Sequence, residues 1–287
     1  MQIIICGMSG FVGEALAHHL GECGYIVKSL SIRSSTSIDS IIEQLEDADV
    51  IINLSGSSIL KRWIESYKKT LHSSRIETTE KLVRAIERCS NPPKILLNAS
   101  AIGVYDSYYQ HDENSRHFGN DFLATLVQDW ENAALDAKRF GVRVCLMRFG
   151  VVYGAEGGAM AKMLPPFKLG LGGKMGDGFQ MISWIHLNDL VRACAFLIDH
   201  PALSGAVNFT TPEPICNLRQ TNRIGHYLRC PTCCSLPGFL VRLVFGEGSS
   251  VMLDSKEVYP KVLQEAGFTF CYPTFDSAME QISHGQK

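Results

Sequence analysis

The chain is expected to fold as an α/β protein: a doubly wound parallel sheet with a smaller, mixed C-terminal lobe. Over the first two-thirds of its 287 residues, short β-branched runs alternate with amphipathic stretches, a pattern that calls for βαβ units and a sheet covered on both faces. The opening "MQIIICGMSGFVGEALAHHL" passes from an apolar strand through a glycine-punctuated turn into a helix. From Gly154 onward the character changes to "GAEGGAMAKMLPPFKLGLGGKMGDG", too rich in breakers for one regular element, and then to short helices and turns.

The elements follow in order. "QIIIC" is the first strand and residues 11–23 the first helix; "IVKSLSI" and a helix over 38–46 form the second unit, and "VIINLSG" and a helix over 63–88 the next. "KILLNAS", a helix over 121–140 and "RVCLMRFG" continue the alternation. The Gly/Pro-rich segment reads as a loop around a short helix, after which "MISWIH", a helix in "LNDLVRACAFLIDH" and a last sheet strand in "GAVNFTT" return to the sheet. Residues 1–154 with 183–211 are therefore assigned to a nucleotide-binding domain, and 155–182 with 212–287 to a substrate lobe.

Composition narrows the function classes. With 27 basic against 29 acidic residues there is no basic field to draw nucleic acid or an anionic membrane. No apolar run reaches the roughly 20 residues of a spanning helix, and the chain opens on a strand rather than a signal segment, so a cytoplasmic location is expected. The expected partner is a small-molecule substrate, with a monomer and a homodimer both open. The ten cysteines are scattered and read as reduced. Only "CPTCC" (Cys230, Cys233, Cys234) has ligand-like spacing, and no second Cys/His pair completes it, so no metal is expected.

The turn carries the strongest signal. Gly7, Gly10 and Gly13 form G-x-x-G-x-x-G between strand and helix. In a Rossmann-type fold the first glycine turns the chain, the second admits a pyrophosphate to the backbone, and the third lets helix pack on sheet. Amides around Ser9, Phe11 and Val12, at the positive end of the helix dipole, would meet the phosphates. About twenty residues on, where an acid would take the ribose 2′-OH of NAD, stands "SLSIRSSTS", with Arg33 and no carboxylate before Asp39. A guanidinium suits a 2′-phosphate, so NADP (NADPH) is favoured over NAD.

These features, with "VIINLSG" at the position of a fourth strand, "NASAIGVYD" and "MRFGVVYG", resemble the extended short-chain dehydrogenase/reductases. "RWIESYKKTLHSSRIETTEKLVRAI", "GGAMAKMLPPFKLGLGGKMGDGFQMISWIHLNDLV" and "PKVLQEAGFTFCYPTF" resemble their atypical, epimerase-like (sugar-nucleotide-epimerase-like) subgroup. The resemblance implies a Rossmann fold, an NADP(H)-type cofactor and a C-terminal lobe. It places the turn Gly7–Gly13, Arg33, Leu54, Ser55, Gly56 and Arg75 on the cofactor, and Val151 near the nicotinamide.

The chemistry is less regular. Active short-chain dehydrogenases use a Tyr with a Lys four residues on, the ammonium easing loss of the phenolic proton. In "NDFLATLVQDWENAA" the corresponding pairs are Phe122 with Leu126 or Leu123 with Val127, and neither moves a proton. The orienting serine position falls on Ala101, with Ser100 one residue before. Tyr105 is the nearest phenol, and His186 a second candidate for proton transfer; packing and backbone bonding are the alternative roles for Tyr105, Ser100 and His186. Nucleotide-sugar epimerases carry an arginine for the substrate diphosphate where this chain has Ile182. An NADP(H)-dependent oxidoreductase on a small, largely uncharged carbonyl or alcohol is thus preferred, with a nucleotide-sugar epimerase and an NADP(H)-binding sensor as alternatives.

Overall fold

The computed structural model describes residues 1–155 and 157–284; Glu156 and residues 285–287, which the sequence assigns to the lobe, lie outside the described residues. Strand β1 (Gln2–Cys6) leads into α1 (Phe11–Glu22), β2 (Ile26–Leu30) into α2 (Ile38–Leu45), and β3 (Val50–Asn53) into α3 (Glu65–His72), a π-helical turn (Ser73–Glu77) and α4 (Thr78–Arg88). Next come β4 (Ile95–Ala101), the short β5 (Gln110–His111), α5 (Phe122–Leu135), β6 (Arg143–Phe149) and β7 (Val151–Tyr153). They are followed by α6 (Met160–Lys168), β8 (Met181–Ile182), β9 (Trp184–His186), α7 (Leu187–Asp199) and β10 (Gly205–Phe209). The chain ends through β11 (Ile215–Cys216), α8 (Asn217–Leu228), α9 (Gly238–Phe245), α10 (Ser250–Leu253), β12 (Glu257–Val258), α11 (Lys261–Glu265) and α12 (Phe275–His284).

Six strands form one parallel sheet in the order β2-β1-β3-β4-β6-β10. Because side chains alternate across a strand, Ile3 and Ile5 enter a core with Leu16 and Leu20 of α1 and Leu190 and Leu197 of α7. Ile4 and Cys6 face the other way, onto Ile41 and Leu45 of α2 and Leu82 and Ile86 of α4. Continuous apolar runs such as "QIIIC" are what a strand covered on both faces requires.

The strand read as the fourth is the third. The Rossmann order 3-2-1-4-5-6 has a strand outside the second one; here the chain passes from α2 across β1 directly to β3, leaving β2 at the edge. The 63–88 helix is interrupted by the π-helical turn, and the 121–140 helix tightens into a 3₁₀ turn at Asp136–Phe140 that stops at Gly141 with φ +78°. "MISWIH" splits into β8 and β9, neither of which joins the main sheet. The break falls at Ser183, whose hydroxyl accepts from Val258 N (2.8 Å) and donates to Lys256 O (2.9 Å), tying the segment to the tail.

A separate core gathers Tyr153 and Trp184, from the ranges assigned to the nucleotide-binding domain, with Met160, Leu164, Phe275 and Met279 from those assigned to the lobe. The tail does not stay in it. Leu263 and Phe268 are buried in the core of the main sheet, and α12 then returns to the second core.

Candidate cofactor and substrate cleft

The C-terminal ends of β1 and β3 form the switch point of the sheet, since the chain leaves β1 toward β2 on one side and later returns to β3 on the other. Open α/β sheets bind ligands at such a crevice. Gly7 takes φ +82°, and a Cβ there would lie 3.0 Å from Leu54 O. A Cβ on Gly13 would lie 2.4 Å from Gly7 O, so only glycine lets α1 start this close to the turn. Gly10 caps α1 without a side-chain acceptor, leaving the first-turn amides to an external anion. The Phe11 ring turns away from the helix and fills the space over Gly154, Gly157 and Gly158, where a Cβ would come within 2.8, 2.3 and 2.7 Å of it.

The strip Leu54–Ser57 is held from below. Asn53 at the end of β3 is buried; its amide donates to Asn98 Oδ1 (2.7 Å) and Thr79 Oγ1 (3.0 Å), while its oxygen accepts from Ser55 N (3.2 Å). Arg75, on the π-helical turn, lies against Gly56, whose Cβ would be 3.1 Å from the guanidinium carbon. It donates to Ser57 O (2.9 Å) and rests over the Trp130 ring at 5.3 Å. Among the described residues no carboxylate forms an ion pair with Arg75, and burial pushes it down to about 10. A π-helical turn is a frequent device at functional sites; here it aims an uncompensated cation at the glycine turn's neighbour. Arg33 is exposed just beyond β2, its N–H bonded to Thr36 Oγ1 (3.0 Å), and Lys81 donates to Arg33 O (2.9 Å) and Ser34 O (3.1 Å). Asp39, the first acid after β2, is taken by Arg88 at 2.8 Å. Val151 begins β7 just past the end of β6.

The glycine turn, Leu54, Ser55, Gly56 and Arg75 are thus one contiguous surface. Tyr105, Ser100 and His186 are not brought together as a proton-handling set. Ser100 donates to Glu131 Oε1 (2.5 Å); Glu131 is gripped by Arg148 through Nε and Nη2, both at 2.7 Å; Arg148 Nη1 donates to Tyr105 Oη (2.8 Å), which in turn donates to Asn208 Oδ1 (3.0 Å). All five residues are buried. Burial raises the Tyr105 phenol, only partly offset by Arg148. His186 caps α7, its Nδ1 accepting from Asn188 N (3.2 Å), and its Nε2 lies 3.1 Å from Gln281 Oε1 on α12. Burial holds it below the ordinary imidazole range. The positions of the missing pair are packing positions: Phe122 meets Trp63 edge-on at 5.4 Å, Leu126 is buried beside it, and Leu123 leans on Gly103.

Sequence reasoning missed Glu131 and Arg148. The signal was present, since an arginine near the end of the apolar strand "RVCLMRFG" must find a partner once buried. It also missed Lys81 and Lys256, whose contacts join segments far apart in the chain. Among the described residues no group of three or more His, Cys, Asp or Glu side chains could hold a metal ion, and no helix is long and apolar enough to cross a membrane.

A switch-point crevice, a glycine turn and a basic strand end define a nucleotide-binding α/β protein. Residues 3–209 match the NAD dependent epimerase/dehydratase family, and the chain belongs to it; residues 236–282 match a domain of unknown function, DUF1731. It is 37% identical to an epimerase family protein of Staphylococcus haemolyticus, covering 98% of each chain. Its fold is similar to the human epimerase family protein SDR39U1, solved with NADPH, at 31% identity, TM-score 0.91 and 99% coverage of both chains. UDP-glucuronic acid 4-epimerase from Bacillus cereus shares the fold at TM-score 0.80 and 16% identity, over 99% of both chains.

Proposed function

We propose that the protein is an NADP(H)-dependent oxidoreductase acting on a small, largely uncharged carbonyl or alcohol. The observation that carries the reading is Arg75, a half-buried guanidinium without a carboxylate, set against the strip that adjoins the glycine turn. A partly desolvated charge gains from a counter-charge, and a dinucleotide supplies it. Gly7, Gly10 and Gly13 leave the room, and the amides of Ser9, Phe11 and Val12 meet the phosphates. Leu54, Ser55 and Gly56 line the cofactor, and Val151 stands toward the nicotinamide. Arg33, unopposed by an acid at the end of β2, takes the 2′-phosphate, a preference supported by the NADPH bound in the human relative. A bound nicotinamide would give or accept the hydride. The protein's contribution is to hold cofactor and carbonyl in register and to move a proton. Ser100 and Tyr105, tied into the Glu131–Arg148 network, make the floor of the cleft, and His186 fastens the lobe.

Calorimetry tests the cofactor half. Arg33→Ala should weaken NADPH binding by roughly 10- to 100-fold, the worth of a charge-assisted contact, and leave NADH binding unchanged. Equal losses for both cofactors would remove the 2′-phosphate role. The engaged hydroxyls of Ser100 and Tyr105 favour a second reading, an NADP(H) sensor without turnover. Steady NADPH oxidation with any member of a carbonyl panel excludes it.

A further inference from the structure

The proton carrier that α5 lacks has a counterpart on the lobe. Just before α5, Asp121 caps the helix, its Oδ1 accepting from Ala124 N at 2.8 Å. Opposite stands Lys256, whose backbone bridges Ile182, so that the two side chains leave the same face of the ladder. Its ammonium reaches across to Tyr105 O at 2.5 Å, at the end of the 3₁₀ turn that follows β4. Three carboxylates surround it electrostatically from three parts of the chain: Asp106 after that turn, Asp121 on the α5 cap, and Asp254 behind α10; the His111 ring on β5 is the remaining titratable neighbour. Among the described residues none of the three carboxylates forms an ion pair with Lys256, so two of its three N–H donors are left for another acceptor. Burial keeps the ammonium below the ordinary lysine range, the carboxylates pulling it partly back, and the same burial holds the Asp254 carboxyl above its own.

We propose that Lys256 is the proton donor to the substrate's carbonyl oxygen, replacing the absent tyrosine–lysine pair from the opposite wall of the cleft. The inference rests on the oxidoreductase reading. An N–H bond of the ammonium breaks and an O–H bond forms, while the carbonyl carbon receives its electron pair as hydride from reduced nicotinamide. The neutral amine then regains a proton from water. Three carboxylates against one ammonium, with Ile182 in place of a diphosphate-gripping arginine, also favour an uncharged substrate over a nucleotide sugar.

The test is competitive acylation with acetic anhydride, read residue by residue by mass spectrometry from about pH 6 to about pH 11. Lys256 should acylate with a midpoint below the ordinary lysine value of about 10.4, and Asp254→Asn should lower it further by removing a stabilising anion. With saturating NADPH and a panel of cyclohexanone, benzaldehyde and diacetyl, Lys256→Met should lose about 100-fold or more in kcat with the NADPH Kd unchanged, and Lys256→Arg should not restore it. The two failures are separable. A wild-type protein that ignores NADPH in calorimetry removes the oxidoreductase reading. An ordinary acylation midpoint, or Lys256→Met turning over at the wild-type rate, removes Lys256 and leaves that reading standing.

Discussion

A methyl group at position 13 would meet backbone on three sides, 2.4 Å from Gly7 O and 2.7 Å from both the Met8 Cα and carbonyl oxygen. Backbone cannot rotate aside as a side chain can, so α1 would have to move off the turn that cradles the phosphates. Gly13→Ala should therefore cost ~1–3 kcal/mol in thermal unfolding and weaken NADPH binding at least about tenfold through the displaced amides. Gly21 on the same helix is the control, since nothing lies within 4 Å of its Cβ. Gly21→Ala should be neutral or gain up to about 1 kcal/mol. At this scale the sequence is most legible where a residue has one physical excuse for being there, as Gly13 has. Tyr105 has several, and only its bonds to Arg148 and Asn208 show which applies.

Helix α5 shows how one element can keep its place in a fold while changing its task. Its sequence reveals that the tyrosine–lysine pair is gone, but not what now surrounds the helix start, because Arg148 reaches Glu131 from β6 and Lys256, just before β12, bonds the carbonyl of Tyr105 from far along the chain. Hydrophobic periodicity reports a helix over 63–88 equally well with or without a π-helical turn, so the placement of Arg75 was hidden in the same way. The missing outer strand is a further case: each strand was readable, while its neighbour in the sheet depends on the path the chain takes between them. The α5 network has a measurable worth. Glu131→Gln would leave a buried guanidinium uncompensated, at ~3–5 kcal/mol. Glu131→Gln with Arg148→Met should recover most of that loss, because the uncharged pair leaves no buried charge behind. Urea unfolding of the two variants measures both, and a double variant no more stable than the single would mean that the network's polar bonds, not its charge balance, hold β4, α5 and β6 together.

Two histidines lie at the joints between lobe and sheet, which makes the union of the two sensitive to acid. His186 ends β9, caps α7 and reaches α12 through Gln281. His111 lies on β5, which pairs with β12 of the tail; its Nδ1 lies 2.8 Å from Ser115 Oγ and its Nε2 3.3 Å from Asp106. Burial lowers both below the ordinary imidazole range of about 6.5, against the pull of Gln281 and Asp189 on one and Asp106 on the other. The unfolded chain therefore binds protons more readily than the folded one, and stability rises with pH across this window. The contribution is complete above the unfolded pKa of about 6.5 and is lost as pH falls toward the lowered folded values. Glu113 and Asp254, raised by burial, act in the opposite sense at lower pH. The urea midpoint of the wild type should thus fall between about pH 7.5 and about pH 5.5. His186→Asn, which keeps an acceptor at the α7 cap, combined with His111→Asn, should reduce that fall to at most about half. A double variant that loses as much on acidification as the wild type would place the acid sensitivity in His19, lowered chiefly by burial, or in carboxylates held low, such as Asp49 and Asp112, and free His186 and His111 of any titrating role.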